Sequence, residues 1–146
     1  MSEQQAVSSS DKIDGAVLKI AGVVVLGAIM SILDITVVSV ALPTFQAEFD
    51  ATYAQVAWTM TAYTLALATV IPATGWAADR FGTKRLYMAA LLLFTLGSGL
   101  CATADSIQQL IGYRVLQGLG GGMLMPLGMT IMTRAAGPHR IGRLMA

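Results

Sequence analysis

Two side chains of opposite charge, Asp34 and Arg114, interrupt long apolar runs and are the residues of this chain best placed to do chemistry. Asp34 lies in the stretch ILDITVVSVALP, residues 32–43, and Arg114 lies in a separate apolar run. A charge within a run long enough to cross a bilayer is costly, and it marks a functional pathway unless a structural partner accounts for it. A carboxylate beside a guanidinium can take up a proton and release its partner, which is the chemistry of a proton-coupled switch.

The composition of the 146-residue chain is that of a membrane protein. Hydrophobic residues make up 55% of the chain and charged residues 12%, whereas charged residues are roughly 25% of an average soluble domain. The basic residues form short clusters between apolar runs rather than one polar face, so nucleic-acid binding is not expected. A single cysteine, Cys101, excludes an intramolecular disulfide, and no His/Cys spacing indicates a metal site.

Four apolar segments predict an all-α integral membrane protein with four transmembrane helices. Each segment is near or above the roughly 20 residues that a helix needs to cross the hydrocarbon core. None shows the polar/apolar alternation of a membrane β-barrel strand. The predicted spans are residues 16–43, 54–78, 86–104 and 106–133.

The remaining segments are short and polar. Residues 1–15 are predicted to be a disordered cytoplasmic leader, because they contain too little apolar surface to offset the entropy of ordering. Pro43 is expected to end the first helix. Residues 79–85 are predicted to form a loop with a tight turn at Gly82, and residues 134–146 a tail or the start of a further helical region.

The distribution of basic residues predicts that both termini are cytoplasmic, since cytoplasmic loops carry the excess of Lys and Arg. Apart from Arg114, these residues precede the first span or lie at its start, separate the second from the third, or follow the fourth: Lys12, Lys19, Arg80, Lys84, Arg85, Arg134, Arg140 and Arg143. The two other loops carry acidic charges and no basic residue. The three basic groups therefore share one side of the membrane.

Helix geometry predicts that the two buried charges lie at similar depth. At the helical rise per residue, Asp34 lies ~21 Å from the cytoplasmic end near residue 20, and Arg114 lies ~12 Å from the outer end near Ser106. In a core of about 30 Å these depths nearly coincide, so we expect an ion pair. Two roles stay open: the pair joins the first and fourth helices as a structural link, or it lines a wet cavity.

Small residues and prolines in the spans indicate close packing and bends. Gly118 and Gly122 form a GxxxG pattern, which lets helices approach closely in a bilayer. Pro126 in the same span and Pro72 in the second span are expected to bend their helices, because proline removes a backbone hydrogen bond and clashes with the preceding turn.

Three stretches resemble motifs of the major facilitator superfamily, and more narrowly of its fourteen-span drug:proton antiporters of the EmrB/QacA type. Residues 33–43, LDITVVSVALP, resemble the first-helix motif LDxTIVNVALP, with Ser39 in place of Asn. Residues 75–85, GWAADRFGTKR, resemble the loop motif GxLaDRxGRK, with Ala77 for Leu and Thr83 for Arg. Residues 110–120, LIGYRVLQGLG, resemble the fourth-helix motif LxxxRxxQGxG.

The resemblance implies roles for individual residues within inverted three-helix repeats. It implies a proton and substrate pathway at Asp34, Arg114 and Gln117. It implies a conformational-switch loop formed by Gly75, Asp79, Arg80, Gly82 and Lys84. In the family, the Asp of this loop contacts the dipole of a helix in the second half of the transporter.

The implied function is proton-coupled multidrug efflux by alternating access in the cytoplasmic (inner) membrane of a bacterium. The implied partners are lipophilic or cationic drugs, the lipid bilayer and the remaining helices of a full transporter. No cofactor is expected, because the proton gradient supplies the energy. Since proteins of this family have twelve or fourteen spans, the chain is expected to be the N-terminal segment of such an exporter.

Two other functions remain open. The chain can be a four-span membrane protein that acts as a structural or regulatory partner, with the charge pair as a link between helices. It can also be a small exporter that assembles as an oligomer. A membrane enzyme is not expected, because the sequence contains no nucleophile paired with a base, no metal constellation and no phosphate-binding loop.

Overall fold

The computed structural model describes residues 15–137, which form four long α-helices. The helices are α1 (Gly15–Phe49), α2 (Tyr53–Phe81), α3 (Thr83–Ala102) and α4 (Ile107–Ala136). By length and composition, all four are able to cross a membrane. The prediction of an all-helical fold with four spanning helices is confirmed. The predicted leader, apart from Gly15, and the tail beyond residue 137 lie outside the described residues.

Polar side chains cap the amino-terminal ends of the second and fourth helices. In the sequence, each of them stands just before an apolar run. Thr52 Oγ1 accepts a hydrogen bond from the backbone N–H of Gln55 at 3.3 Å, and Gln55 Oε1 accepts one from the Thr52 N–H at 2.9 Å. Ser106 Oγ accepts a bond from the Gln109 N–H at 3.3 Å. These caps satisfy backbone donors that the first turn of a helix leaves unpaired.

The first helix is longer than predicted. It continues through Pro43 and ends at Phe49, so the prediction that Pro43 ends this helix is wrong. Proline removes one backbone hydrogen bond, but the bonds of the adjacent turns hold the helix together. Phe45 and Phe49 also pack beside the buried cluster of Val56, Ile107 and Leu110, which stabilises the added turns.

The predicted loop of residues 79–85 is almost entirely helical. The second helix runs to Phe81 and the third begins at Thr83, so Gly82 alone separates them. Gly82 has a φ of +86°, a conformation that residues with a Cβ rarely adopt. The tight turn expected at Gly82 is present, and it joins two helices with no intervening loop.

The fourth helix lies at the centre of the bundle and packs against each of the other three. Its glycines allow direct backbone contact: a Cβ on Gly118 would lie 2.5 Å from the carbonyl oxygen of Tyr63, and one on Gly120 would lie 2.6 Å from the backbone nitrogen of Phe94. A Cβ on Gly122 would lie 2.6 Å from the carbonyl oxygen of Leu67. Small residues therefore bring α2 and α3 against opposite sides of α4.

The middle of the first helix packs through a narrow stripe. Gly27 and Ser31 are buried, and Asp34 is half-buried one turn further along the same face. The hydroxyl of Tyr87 on α3 donates a hydrogen bond to the Val23 carbonyl at 3.2 Å, close beside Gly27. The other faces of α1 expose large apolar side chains such as Val37 and Val40.

The packing of α4 predicts different effects for two glycine-to-alanine changes on this one helix. Gly118→Ala places a Cβ against the backbone of α2, and we expect it to lower the free energy of unfolding by about 1–3 kcal/mol. The matched control is Gly112→Ala, because a Cβ there meets nothing within 4 Å. This control should stabilise the protein by up to ~1 kcal/mol, since alanine favours a helix interior.

The measurement is unfolding of the 146-residue chain in detergent micelles by added dodecyl sulfate, followed by far-UV circular dichroism. Equal stability of the Gly118 and Gly112 variants would contradict the close approach of α2 and α4.

Candidate functional site

The ion pair expected from the depth of the two charges is present. Arg114 Nη1 donates a hydrogen bond to Asp34 Oδ2 at 2.6 Å, which joins α4 to α1. The Arg114 side chain is 2% exposed and that of Asp34 is 14% exposed. The guanidinium is therefore enclosed by protein, whereas the carboxylate lies nearer the open side of the bundle.

Gln117 connects both members of the pair. Its amide nitrogen donates to Asp34 Oδ1 at 2.7 Å, and its Oε1 accepts a hydrogen bond from Arg114 Nη1 at 2.6 Å. Both oxygens of the carboxylate therefore accept hydrogen bonds from α4. Arg114 and Gln117 are three residues apart, so the helical repeat places their side chains on one face. All three residues predicted for the proton and substrate pathway meet at this point.

Two groups on α2 complete the surroundings of the guanidinium. Arg114 Nε donates to the carbonyl oxygen of Thr59 at 3.3 Å. The centre of the guanidinium lies 4.2 Å from the centroid of the Tyr63 ring. A cation over an aromatic face is attracted by the electron density of the ring, and by more when both are desolvated. The second helix therefore holds Arg114 by a carbonyl oxygen and an aromatic face.

The hydroxyl of Tyr63 is buried and has no hydrogen-bond partner among the described residues. A Cβ on Gly121 would lie 2.8 Å from this hydroxyl oxygen, so the glycine provides the space that the hydroxyl occupies. On α3, Cys101 Sγ lies 3.7 Å from Gln117 Oε1 in a long hydrogen bond. The site thus draws side chains from all four helices.

Sequence reasoning did not assign Tyr63 and Thr59 to this site. Depth counting applied to α2 locates Tyr63, because its position is about 15 Å from the start of that helix, close to the ~12 Å depth of Arg114 in α4. The Thr59 contact is made by a backbone carbonyl, and no residue type marks it. The signal for Tyr63 was therefore in the sequence, and that for Thr59 was not.

The residues predicted for the conformational-switch loop lie away from the ion pair. Asp79 is about 24 Å along α2 from Tyr63, counted by helical rise. Gly75, Asp79, Arg80 and Lys84 are exposed, and Gly82 forms the turn between α2 and α3. The structure therefore does not bring these residues together with Asp34.

The residues predicted for helix packing lie within α2 and α4. Gly118 and Gly122 form the contacts with α2 described above. Pro72 and Pro126 lie inside continuous helices, and the Thr130 hydroxyl donates to the Pro126 carbonyl at 2.9 Å. Neither proline lines the ion-pair site.

A second polar contact, between α4 and α3, was also missed from the sequence. Arg134 Nη1 donates to Thr83 Oγ1 at 3.1 Å, immediately beside the Gly82 turn. Sequence analysis treated Arg134 only as a charge that sets membrane orientation. Its contact with Thr83 fixes the end of α4 against the start of α3.

Comparison with known proteins identifies the family. Residues 24–146 match the family model described as Major Facilitator Superfamily. The chain belongs to the major facilitator superfamily. Its four apolar helices and its bacterial relatives in this superfamily make it a multi-pass protein of the inner membrane.

The relatives within the major facilitator superfamily are named for drug resistance or export. The chain is 60% identical over 139 residues to a "Multidrug resistance protein B homolog" of Mycobacterium tuberculosis, with 95% of this chain and 26% of the relative aligned. It is 36% identical over 132 residues to the "Multidrug export protein EmrB" of Haemophilus influenzae, with 90% and 26% aligned.

A third relative is the "Putative multidrug resistance protein MdtD" of Pectobacterium carotovorum, 39% identical over 136 residues, with 84% of this chain and 29% of the relative aligned. The resemblance to drug:proton antiporters of this superfamily is confirmed by these names. The chain spans little more than a quarter of the length of these relatives.

The surroundings of Arg114 predict opposite effects for two changes at Tyr63. Tyr63→Phe keeps the ring face and removes a hydroxyl without a described partner, so the free energy of unfolding should stay equal or rise, because an unpaired buried hydroxyl costs about 1–3 kcal/mol. Tyr63→Leu removes the ring from beneath the guanidinium and should lower the free energy by about 2 kcal/mol or more.

Dodecyl sulfate unfolding of the 146-residue chain measures both Tyr63 variants under one condition. If Tyr63→Phe proves as destabilising as Tyr63→Leu, the hydroxyl rather than the ring holds the site together, and the assignment of the ring is wrong.

Proposed function

We propose that this chain forms the amino-terminal part of a proton-coupled multidrug exporter in which Asp34 takes up and releases the transported proton. The observation that supports this most directly is the closed network around the carboxylate, whose oxygens accept hydrogen bonds from Arg114 at 2.6 Å and Gln117 at 2.7 Å. Protonation of Asp34 changes the net charge of the site from zero to plus one. Because the site lies among apolar helices, this uncompensated charge is costly.

Proton uptake breaks the ion pair between Asp34 and Arg114. The proton adds to a carboxylate oxygen and gives a neutral acid, which leaves the guanidinium without its counter-ion. If Oδ2 takes the proton, Arg114 Nη1 faces the oxygen of a neutral acid, which is a weaker acceptor than a carboxylate oxygen and carries no charge to attract the guanidinium. Release of the proton restores the carboxylate and the ion pair.

The two sides of the broken ion pair are held very differently. Arg114 keeps the Thr59 carbonyl, Gln117 Oε1 and the ring of Tyr63, so it stays in place on the unit formed by α2 and α4. Asp34 stands on α1, which near this residue packs through the narrow stripe of Gly27 and Ser31. We therefore propose that α1 moves relative to α2 and α4 when Asp34 changes its protonation state.

The charge of the site also explains why a proton and a cationic drug would exclude each other. With Asp34 ionised, the pair is neutral overall and the carboxylate attracts a cation. With Asp34 protonated, the uncompensated guanidinium repels it. Alternating occupancy by a proton and a cationic or lipophilic drug is the condition that antiport requires. The relatives are named for multidrug resistance and export, which supports drugs as the substrates.

The remaining parts of the proposal follow the resemblance to the family. The energy source is the proton gradient, with no cofactor. The partners are the bilayer and the further helices of the transporter, one of which receives Asp79. Both termini of the chain face the cytoplasm, in accord with the position of the basic residues. The alternatives, a structural or regulatory four-span protein and a small oligomeric exporter, are not favoured by the multidrug relatives.

The test replaces Asp34 by Asn in the transporter that contains this chain. Asn cannot release a proton, so a cationic dye such as ethidium should no longer dissipate the pH gradient of inverted membrane vesicles, with the rate falling at least tenfold. The matched control is Asp105→Asn, the same change at an exposed carboxylate in the link between α3 and α4, which should transport normally.

Undiminished proton-coupled transport by Asp34→Asn would overturn the proposed proton site. A structural role for the ion pair predicts another result: Asp34→Asn would unfold in micelles at lower dodecyl sulfate, and its amount in the membrane would fall. Normal abundance and stability together with lost transport would support the proton pathway.

A further inference from the structure

Two adjoining cavities lie at the end of the bundle that carries the basic residues. The first, of about 630 Å³, lies between the end of α4 and the start of α3, and Lys84, Arg85 and Arg134 line it. The second, of about 350 Å³, lies between α1 and α3. Lys84 and Ile131 belong to the walls of both, so the cavities meet there. Both volumes fall within the roughly 300–1,000 Å³ of ordinary ligand sites.

The first cavity is positively charged. Three basic side chains line it, and among the described residues no carboxylate does. The hydrogen bond from Arg134 to Thr83 Oγ1, at 3.1 Å, fixes the guanidinium at the wall. The cavity also adjoins the first turn of α3, which contains no acidic side chain. An anion with several acceptor oxygens is the complement of this arrangement.

The second cavity is an apolar groove with charges at one end. Val23 and Val24 of α1 and Tyr87 and Met88 of α3 form its walls, while Lys19 and Lys84 carry the charges. The polar atom of Tyr87 is already bonded to the Val23 carbonyl at 3.2 Å. An apolar groove beside a cationic cavity matches a molecule with a hydrocarbon chain attached to a phosphate.

We propose that the two cavities together bind one anionic phospholipid. Its phosphate headgroup lies among Lys84, Arg85 and Arg134, and one of its acyl chains lies in the groove between α1 and α3. The net positive charge favours an anionic over a zwitterionic lipid. A soluble phosphate compound would fill the first cavity and leave the groove empty. Basic pockets between helices at the cytoplasmic surface are typical sites for anionic headgroups.

A lipid in this position would connect α1 to α3, which have few direct contacts with each other. It touches α1 through Lys19 and Val23, α3 through Lys84 and Met88, and α4 through Arg134. The lipid would therefore steady α1 at its amino-terminal end, away from Asp34. This site is independent of the proton step, and it stands or falls separately from the proposed transport function.

Native mass spectrometry of the 146-residue chain, released from dodecylmaltoside micelles, tests the proposal. The chain is titrated with dioleoyl phosphatidylglycerol and with dioleoyl phosphatidylcholine, which have identical acyl chains. We expect one phosphatidylglycerol to bind at least tenfold more tightly than phosphatidylcholine. Lys84→Gln should weaken phosphatidylglycerol binding about fivefold or more. The matched control Arg80→Gln removes the same charge from an exposed residue that lines neither cavity, and it should bind normally.

A second variant tests the groove. Met88 is 56% exposed, so Met88→Trp is compatible with the fold and narrows the groove. It should weaken phosphatidylglycerol binding, and millimolar glycerol 3-phosphate should not displace the lipid from the wild type. Equal binding of the two lipids would overturn the proposal. An equal loss of binding in Arg80→Gln would contradict a specific site, because it would show that the lipid is attracted to the basic surface in general. Displacement by glycerol 3-phosphate would contradict the lipid as the ligand and indicate a soluble phosphate compound.

Discussion

The structure depends on the burial of one full positive charge. The Arg114 side chain is 2% exposed in the middle of an apolar helix, a position that is costly unless other groups replace its lost hydration. Two neighbouring helices and α4 itself contribute to that replacement: a carboxylate on α1, a carbonyl oxygen and an aromatic ring on α2, and an amide on α4. Such groups reach the guanidinium only if the helices lie very close together. The glycines that follow at 118, 120, 121 and 122 make that approach possible, so the charge and the glycine-rich stretch are parts of one arrangement.

The partners of Arg114 lie on helices that pack against α4 to different extents. Thr59 and Tyr63 belong to α2, which lies in backbone contact with α4 at Gly118. Asp34 belongs to α1, which near this residue packs through the narrow stripe of Gly27 and Ser31. Breaking a buried ion pair normally destabilises a protein because one charge stays unpaired. Here three neutral partners of Arg114 remain after Asp34 is protonated, which lowers that cost. The network is therefore suited to repeated opening and closing at its α1 side, whereas a simple structural link would gain most from equal anchoring on both sides.

The sequence predicted the large features of this fold because they follow from hydrophobicity and helical rise. The four apolar runs form four helices, and counting residues along them predicted that Asp34 and Arg114 lie at one depth, where the ion pair is found.

The features that were not predicted depend on packing in three dimensions. The turns of α1 beyond Pro43 form because Phe45 and Phe49 find an apolar cluster. The Thr59 contact uses a backbone oxygen, which no residue type reveals. The link of Arg134 to Thr83 requires the register between α4 and α3, which the sequence of either helix alone does not contain.

The two polar regions of the bundle are too far apart to interact directly, so any coupling between them must pass along the helices. About 24 Å of α2 separates Tyr63, under the guanidinium, from Asp79 at the Gly82 turn. About 30 Å of α4 separates Arg114 from Arg134, which is bonded to Thr83 beside that same turn. Because α2 and α4 are in backbone contact at Gly118 and Gly122, they form one closely packed pair. The movement of α1 proposed for protonation of Asp34 would then be a movement against this pair. The Gly82 turn, with one residue and a φ of +86°, joins α3 directly to α2 at the far end of this pair.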